Sequence, residues 1–424
     1  MKIIHTADLH LGQIIYQNYD RVDEHQHFFK QLTEWCRTEC PDALLVSGDI
    51  FDIQQPSATT KKAFNDYFVN LHQACPDMHI IITAGNHDSA SRIQADNSVW
   101  KLHNTHLIGA SPSSDLLYSD DRSWMDNYII TLDSGYIIAL PFMIGERQAL
   151  IQSILDHVAE MNTSQKPVIM MGHLAMTGMD ATGHDIEIGK IKTLDIEAVG
   201  KGYDYLALGH IHKPQTIGHQ EDCMKLECVT YPSGVIRYSG SALHVSCDEQ
   251  YPHTVSVVDI DKHGGDVSIR QLHIHELRHF YTLPLSGASY QSEAEALGGV
   301  KDFCTNHPEG GYIRLQIDYN TTLSANFTQQ VYDLIAPCNG AVRYNAKIIW
   351  RGAPSSDESI QQKPVFEIAD LQQMTDPMVF IEKTFSQYPG LDLDEVRQAF
   401  EEVKTEILRT KEEKEVKEKA KKQS

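Results

Sequence analysis

Five stretches of the chain share one pattern, an apolar run of strand length that ends in Asp, Asn or His. Lys2–Thr6 runs into Asp8-Leu9-His10, Ala43–Ser47 into Gly48-Asp49-Ile50-Phe51-Asp52, and His79–Thr83 into Gly85-Asn86-His87-Asp88. Pro167–Met171 runs into Gly172-His173, and Asp204–Leu208 into Gly209-His210-Ile211-His212. Carboxylate, imidazole and carboxamide groups together are the material of a polynuclear metal site. A carboxylate has two oxygens and can be shared between two ions. Two divalent cations ~4 Å apart lower the pKa of a bridging water and neutralise phosphate oxygens, the chemistry of phosphoester hydrolysis. A single Asp-x-His means little, a lone His at a strand end is ordinary, and Asn86 alone reads as a turn residue. Five loops with the same donor chemistry need a common cause.

That cause is the arrangement of the elements. In an open α/β sheet, ligands bind beyond the carboxyl ends of the strands, so these loops are expected to converge. The runs are short, mostly apolar and in several cases rich in β-branched residues, as strands buried on both faces are. Phe28, Phe29, Leu32, Trp35 and Cys36 recur at helical spacing between the first two, and Phe64, Tyr67, Phe68 and Leu71 between the second and third. Leu150, Ile151, Ile154, Leu155, Val158 and Met161 mark a third helix. Strands alternating with helices give an α/β fold. Tyr128–Leu132 and Tyr136–Leu140, joined through Asp133-Ser134-Gly135, add a hairpin, and further strands follow near Tyr231 and at Thr254–Ile260.

The pattern divides the chain at 1–276, 277–353, 354–366 and 367–424. The second segment reads strand, helix, strand, helix, strand from Phe280 to Ile348, enough for a small α/β domain. The third is a Ser-, Gln- and Pro-rich linker. The last predicts two amphipathic helices, with Val396, Phe400, Val403 and Ile407 forming an apolar stripe on the longer one. The end of the chain mixes Lys and Glu as a solvated helix would.

Composition bears on the partners. The chain has 424 residues and a formal net charge of −22, which taken alone argues against a nucleic-acid surface. The acid is unevenly placed: residues 1–276 hold 36 Asp/Glu against 19 Lys/Arg, and 20 of the 22 histidines. Two divalent ions there would offset part of that charge. No apolar run approaches the ~18 residues of a membrane span. The N-terminus does not read as a signal peptide, and the eight cysteines lack a C-x-x-C pair. A cytoplasmic protein with reduced thiols is expected.

Taken as a set, Asp8/His10, Asp49, Asn86-His87-Asp88, His173 and His210/His212 closely resemble the signature of the calcineurin-like metallophosphoesterases. The surroundings, His5-Thr6-Ala7-Asp8-Leu9-His10-Leu11-Gly12 with Arg21, Gly48-Asp49-Ile50-Phe51-Asp52 and Tyr238-Ser239-Gly240-Ser241, are similar to those of the DNA double-strand-break repair nucleases within that superfamily. Gly218–Arg237 departs from the pattern and looks like an insertion, and Ala242 stands where relatives often carry Pro. The resemblance implies a sandwich of two mixed β-sheets flanked by helices, a small α/β capping domain that steers DNA, and a C-terminal helix pair. It implies two divalent metals, manganese foremost: Asp8, His10 and His212 on one, Asn86, His173 and His210 on the other, and Asp49 bridging. His87 would act as the catalytic acid, with Asp88 orienting its imidazole. Apart from the resemblance, the basic residues near these motifs, Arg21, Lys213, Lys190 and Lys192, are candidate contacts to DNA phosphates, with solvated surface the alternative reading for any one of them.

The partners implied are DNA, a second copy of the chain through the helices near Ser57–Ala74 and Ser91–Leu102, and an SMC-like ATPase docked on the C-terminal helices, the whole a heterotetramer. The expected activity is double-strand exonuclease and single-strand or hairpin endonuclease, serving DNA repair, recombination and replication. A small-molecule phosphodiesterase or phosphatase of the same superfamily would not need the capping domain or the terminal helices. A non-catalytic scaffold on this fold would not need the complete donor set.

Overall fold

The computed structural model describes the chain except residues 17, 120, 146, 183–192, 220–227, 247, 250 and 353–424. The expected linker, the C-terminal helices, Lys190 and Lys192 lie outside the described residues.

The chain forms the expected sandwich of two mixed sheets. The first has seven strands in the order Val229–Tyr231, Val267–His273, Thr254–Ile260, Lys2–Thr6, Ala43–Ser47, His79–Thr83 and Thr105–Ile108. From Lys2–Thr6 onward the pairing is parallel, and the remainder is antiparallel. The second has six, Gln215–Thr216, Val235–Tyr238, Tyr205–Gly209, Val168–His173, Gly135–Ala139 and Ile129–Leu132. Within it Val235–Tyr238 pairs in parallel with Tyr205–Gly209, and Val229–Tyr231 edges the first sheet. The stretch expected as an insertion therefore supplies a strand to each sheet.

Alternation along the central strands explains the two cores. Ile3, Leu45 and Ile81 point to the second sheet and pack with Ile169, Met171 and Ala207. Their neighbours Ile4, Leu44, Val46, Ile80 and Ile82 face helices Val22–Glu39 and Ala58–Ala74, meeting Phe28, Phe29, Leu32, Phe64, Phe68 and Leu71. Phe64, Phe68 and Leu71 are therefore core residues, and Tyr67 stacks on Phe29 with centroids 4.3 Å apart. Helix Gln148–Met161 adds Leu150, Ile154 and Val158 to the inter-sheet cluster. No helix among the described residues is long and apolar enough to cross a membrane.

Residues 280–351 form a three-stranded parallel sheet, Phe280–Leu283, Gly311–Asp318 and Val342–Arg351, with helices Glu293–Asn306 and Phe327–Ile335. Leu283, Val300, Phe303, Ile313, Leu315, Val331 and Tyr344 give it a core of its own. A buried polar network joins it to helix Val22–Glu39. Glu24, 3% exposed, accepts from Arg21 Nε at 2.6 Å, the Tyr312 hydroxyl at 2.6 Å and Arg278 at 3.2 Å, with Arg343 at 3.4 Å.

Candidate metal centre

All five strand ends meet at one edge of the sandwich. Asp8, His10, His173, His210 and His212 are buried, Asp49 is 2% exposed, and Asn86 and His87 are partly exposed. The donor atoms of Asp8, His10 and His212 lie within 4.8 Å of one another, as do those of Asp8, Asp49 and His173, and those of His10, Asp52 and His87. Asn86 Oδ1 joins the set at 2.9 Å from His173 Nε2 and 3.0 Å from His210 Nδ1.

The backbone is bent to achieve this. Asp8, His10, Asp49 and His210 have φ of +51°, +44°, +49° and +95°, in a region that side-chain-bearing residues rarely occupy. Such conformations cluster at functional sites because only a surrounding structure can impose them. Close approach does the rest. A Cβ on Gly209 would lie 1.9 Å from the Ser47 carbonyl, and one on Gly48 (φ +85°) would lie 2.1 Å from His173 Nδ1.

Hydrogen bonds fix the orientation of each donor. The His210 amide donates to both Asp8 oxygens at 3.0 and 3.1 Å, and the His87 amide donates to Asp49 Oδ1 at 2.9 Å. His173 Nδ1 lies 2.9 Å from the Ser47 carbonyl, which holds that nitrogen as the donor and turns Nε2 toward Asp49 Oδ2, 3.4 Å away. His212 Nδ1 lies 2.7 Å from Glu249 Oε1, a carboxylate behind the imidazole that sets its tautomer and makes Nε2 the nitrogen that could hold a metal.

The electrostatics call for cations. Burial, only partly offset by His173, pushes the Asp8 carboxyl up to about 7. Against the same burial penalty, His173 and His10 hold Asp49 well below the usual carboxylate range. Burial opposes charge on His173, yet Asp49 and Asp8 raise it to about 9. His10 is 3% exposed, and neither ring nitrogen makes a hydrogen bond; the nearest carboxylate oxygens are Asp52 Oδ1 at 3.4 Å and Asp49 Oδ2 at 3.9 Å. Unsatisfied buried nitrogens amid carboxylates, a carboxamide and further imidazoles fit divalent transition ions.

Two expected positions fall differently. Asp88 does not hold the His87 ring: its carboxylate accepts from the amides of Ile50, Phe51 and Gly85 at 3.0, 2.9 and 2.8 Å, tying two ligand loops together. His87 Nδ1 instead lies 2.9 Å from the Asp52 carbonyl. Arg21 is 3% exposed, and its guanidinium is engaged by Glu24, by Gln13 Oε1 at 2.9 Å and by the His244 carbonyl, which leaves it no open face for a phosphate. Lys213 remains partly exposed, pairs with Asp180 and lies 5.9 Å from the centre of the Tyr251 ring.

The comparisons with known proteins agree with this centre. Residues 1–214 match the family model described as calcineurin-like phosphoesterase. The chain is similar to the SbcD component of the nuclease SbcCD from Escherichia coli (strain K12), 30% identical over 60% of this chain and 65% of that one. It is 28% identical to the same component from Rhodobacter capsulatus, over 61% and 66%, and 26% identical to that from Bacillus subtilis, also over 61% and 66%. The matched region thus spans just under two thirds of these relatives. A family match over half the chain, with its motif residues gathered at one sheet edge, establishes that this chain belongs to the calcineurin-like phosphoesterase family.

Proposed function

We propose that the chain is the nuclease subunit of an SbcCD-type complex, a two-metal phosphodiesterase that cuts DNA as a double-strand exonuclease and a single-strand or hairpin endonuclease. The observation that carries this reading is the convergence of Asp8, His10, Asp49, Asn86, His173, His210 and His212 in a chain whose similar proteins are named as nucleases. Asp8, His10 and His212 would hold one ion, Asn86, His173 and His210 the other, with Asp49 between them. The mixed imidazole, carboxylate and carboxamide set suits Mn²⁺ better than Ca²⁺.

When bound, the ions supply an activated water and neutralise the phosphate oxygens. The chain's own groups do the remaining work. His87 is the general acid: Nδ1–H donates to the Asp52 carbonyl, which leaves Nε2 to face the leaving group, and in the imidazolium form the Nε2 proton would pass to the departing 3′-oxygen and leave a neutral ring. Asp88 acts indirectly, by clamping the loops that carry Asp49 and Asn86. Among the described residues, Lys213 is the surviving candidate for a DNA phosphate contact. Residues 277–353 would cap the site and steer DNA, and 367–424 would dock an SbcC-type, SMC-like ATPase. A homodimer within a cytoplasmic heterotetramer completes the proposal.

A labelled DNA hairpin incubated with Mn²⁺ or EDTA, with and without the ATPase, tests it. Mn²⁺-dependent cleavage is expected. Fast turnover of a small phosphodiester with no DNA cleavage would favour a small-molecule enzyme, and no turnover with no bound metal would favour a scaffold.

A further inference from the structure

Glu249, the carboxylate that orients His212, also lines a cleft of about 500 Å³ formed with residues of the strands Phe280–Leu283 and Gly311–Asp318. The walls of this cleft are aromatic. Phe280 stacks on Tyr312 with centroids 4.6 Å apart and planes 14° from parallel. Tyr16 meets both edge-on, at 6.5 and 5.8 Å, and Tyr251 also lines the cleft. Tyr16 is held at φ +53°, a costly conformation for an aromatic residue, so the surrounding structure fixes it in this position.

The groups around the cleft disfavour a phosphate as its occupant: the lining imidazoles His244 and His279 already face Glu276 at 3.1 and 2.9 Å. Glu249 and Glu276 lie in the lining, and the guanidinium of Arg314 is already on Thr282 Oγ1 and Asp248 Oδ1, both at 2.8 Å. A neutral, planar group fits such a surface, because stacking on aromatic rings requires no countercharge. The volume is that of a small-ligand pocket, and a duplex is too wide for it. The cleft also adjoins the metal centre. Glu249 lines it and contacts the His212 imidazole at 2.7 Å, so one side chain links the two sites.

We propose that this cleft takes one unpaired nucleobase of the strand whose phosphate lies at the metal centre, favouring unpaired over duplexed DNA. The proposal rests on the nuclease reading above and adds to it a site for a base.

The test is a scan in which a single abasic residue is moved along the nucleotides flanking the cleavage site of an oligonucleotide, with cleavage in Mn²⁺ as the readout. Base stacking on an aromatic side chain is worth roughly 1–3 kcal/mol. One position is therefore expected at which loss of the base slows cleavage about tenfold. In Phe280→Ala that penalty should fall to within about twofold of none, and Phe280→Tyr should restore it. Anisotropy of the same oligonucleotides in EDTA reads the preference without turnover, and Tyr251→Ala probes the cleft from another wall if Phe280→Ala misfolds. A flat scan in the wild type, or an unchanged penalty in both alanine variants, overturns the cleft while leaving the nuclease reading intact. No cleavage of any oligonucleotide, with bis(4-nitrophenyl) phosphate still turned over, overturns the nuclease reading and the cleft with it.

Discussion

Replacing Glu249 with Gln should weaken one metal site and spare the other. Glu249 is 1% exposed; Oε1 accepts from His212 Nδ1 at 2.7 Å and Oε2 from the Val245 amide at 2.9 Å, with His253 Nε2 at 3.4 Å. Burial raises its carboxyl pKa, and His253 and the Val245 amide oppose that rise. The glutamine is close to isosteric, so the Val245 contact can persist while the negative charge behind His212 is lost. Losing the partner that orients a ligating imidazole typically costs 10–100-fold in metal affinity, roughly 1.4–2.7 kcal/mol. His173 does not depend on Glu249 in this way, because the Ser47 carbonyl orients it. Mn²⁺ titration followed by the spectrum of the free ion should give one dissociation constant raised 10–100-fold and the other changed less than about threefold. Cleavage should return at high Mn²⁺. Two unchanged constants would refute the reasoning, as would a cleavage defect that Mn²⁺ fails to rescue.

Further expectations follow from the same geometry. If His87 is the acid of the proposed mechanism, His87→Ala should lower the cleavage rate by about 10²–10⁴ while leaving Mn²⁺ binding and the circular dichroism spectrum unchanged, because His87 is not in the proposed ligand set. Gly209→Ala would push a Cβ to 1.9 Å from the Ser47 carbonyl, and thermal melting should show a loss of about 1–3 kcal/mol. His5 is buried and neutral: burial, helped by Arg237, lowers it to about 3. That folded value lies below the ordinary histidine value of 6.5. The unfolded chain therefore takes up protons first as pH falls from about 6.5 toward 4, and stability measured by urea in EDTA should drop over that window. His5→Gln should flatten the slope by about one proton, and an unchanged slope would count against this assignment.

The strands and the donor set were legible in the sequence because both depend on local pattern. Lys2–Thr6, Ala43–Ser47 and His79–Thr83 appear with the bounds their apolar runs suggest, and Val168–His173 and Tyr205–Gly209 begin one residue later than expected. Val235–Tyr238 was hidden by its polar content: Arg237 is 1% exposed yet buried through bonds to Ser256 and Thr216, contacts distant in sequence. Glu249 carried no signal because it lies on a loop 37 residues from His212, and only the folded chain brings them together. Arg21 looked like a surface cation for a related reason. Its partner Glu24 is local, but the arginines and tyrosine that bury the pair come from residues 278–343. Adjacency in sequence pairs Asp88 with the His87 ring, whereas in the fold the amides of Ile50, Phe51 and Gly85 occupy its carboxylate.

The central claim is that these seven residues hold two divalent ions around Asp49. Anomalous scattering from crystals grown with Mn²⁺ tests it most directly. Two peaks are predicted, one among Asp8, His10 and His212 and one among Asn86, His173 and His210, both within bonding distance of Asp49. A single peak, or two peaks that do not share Asp49, would contradict the account.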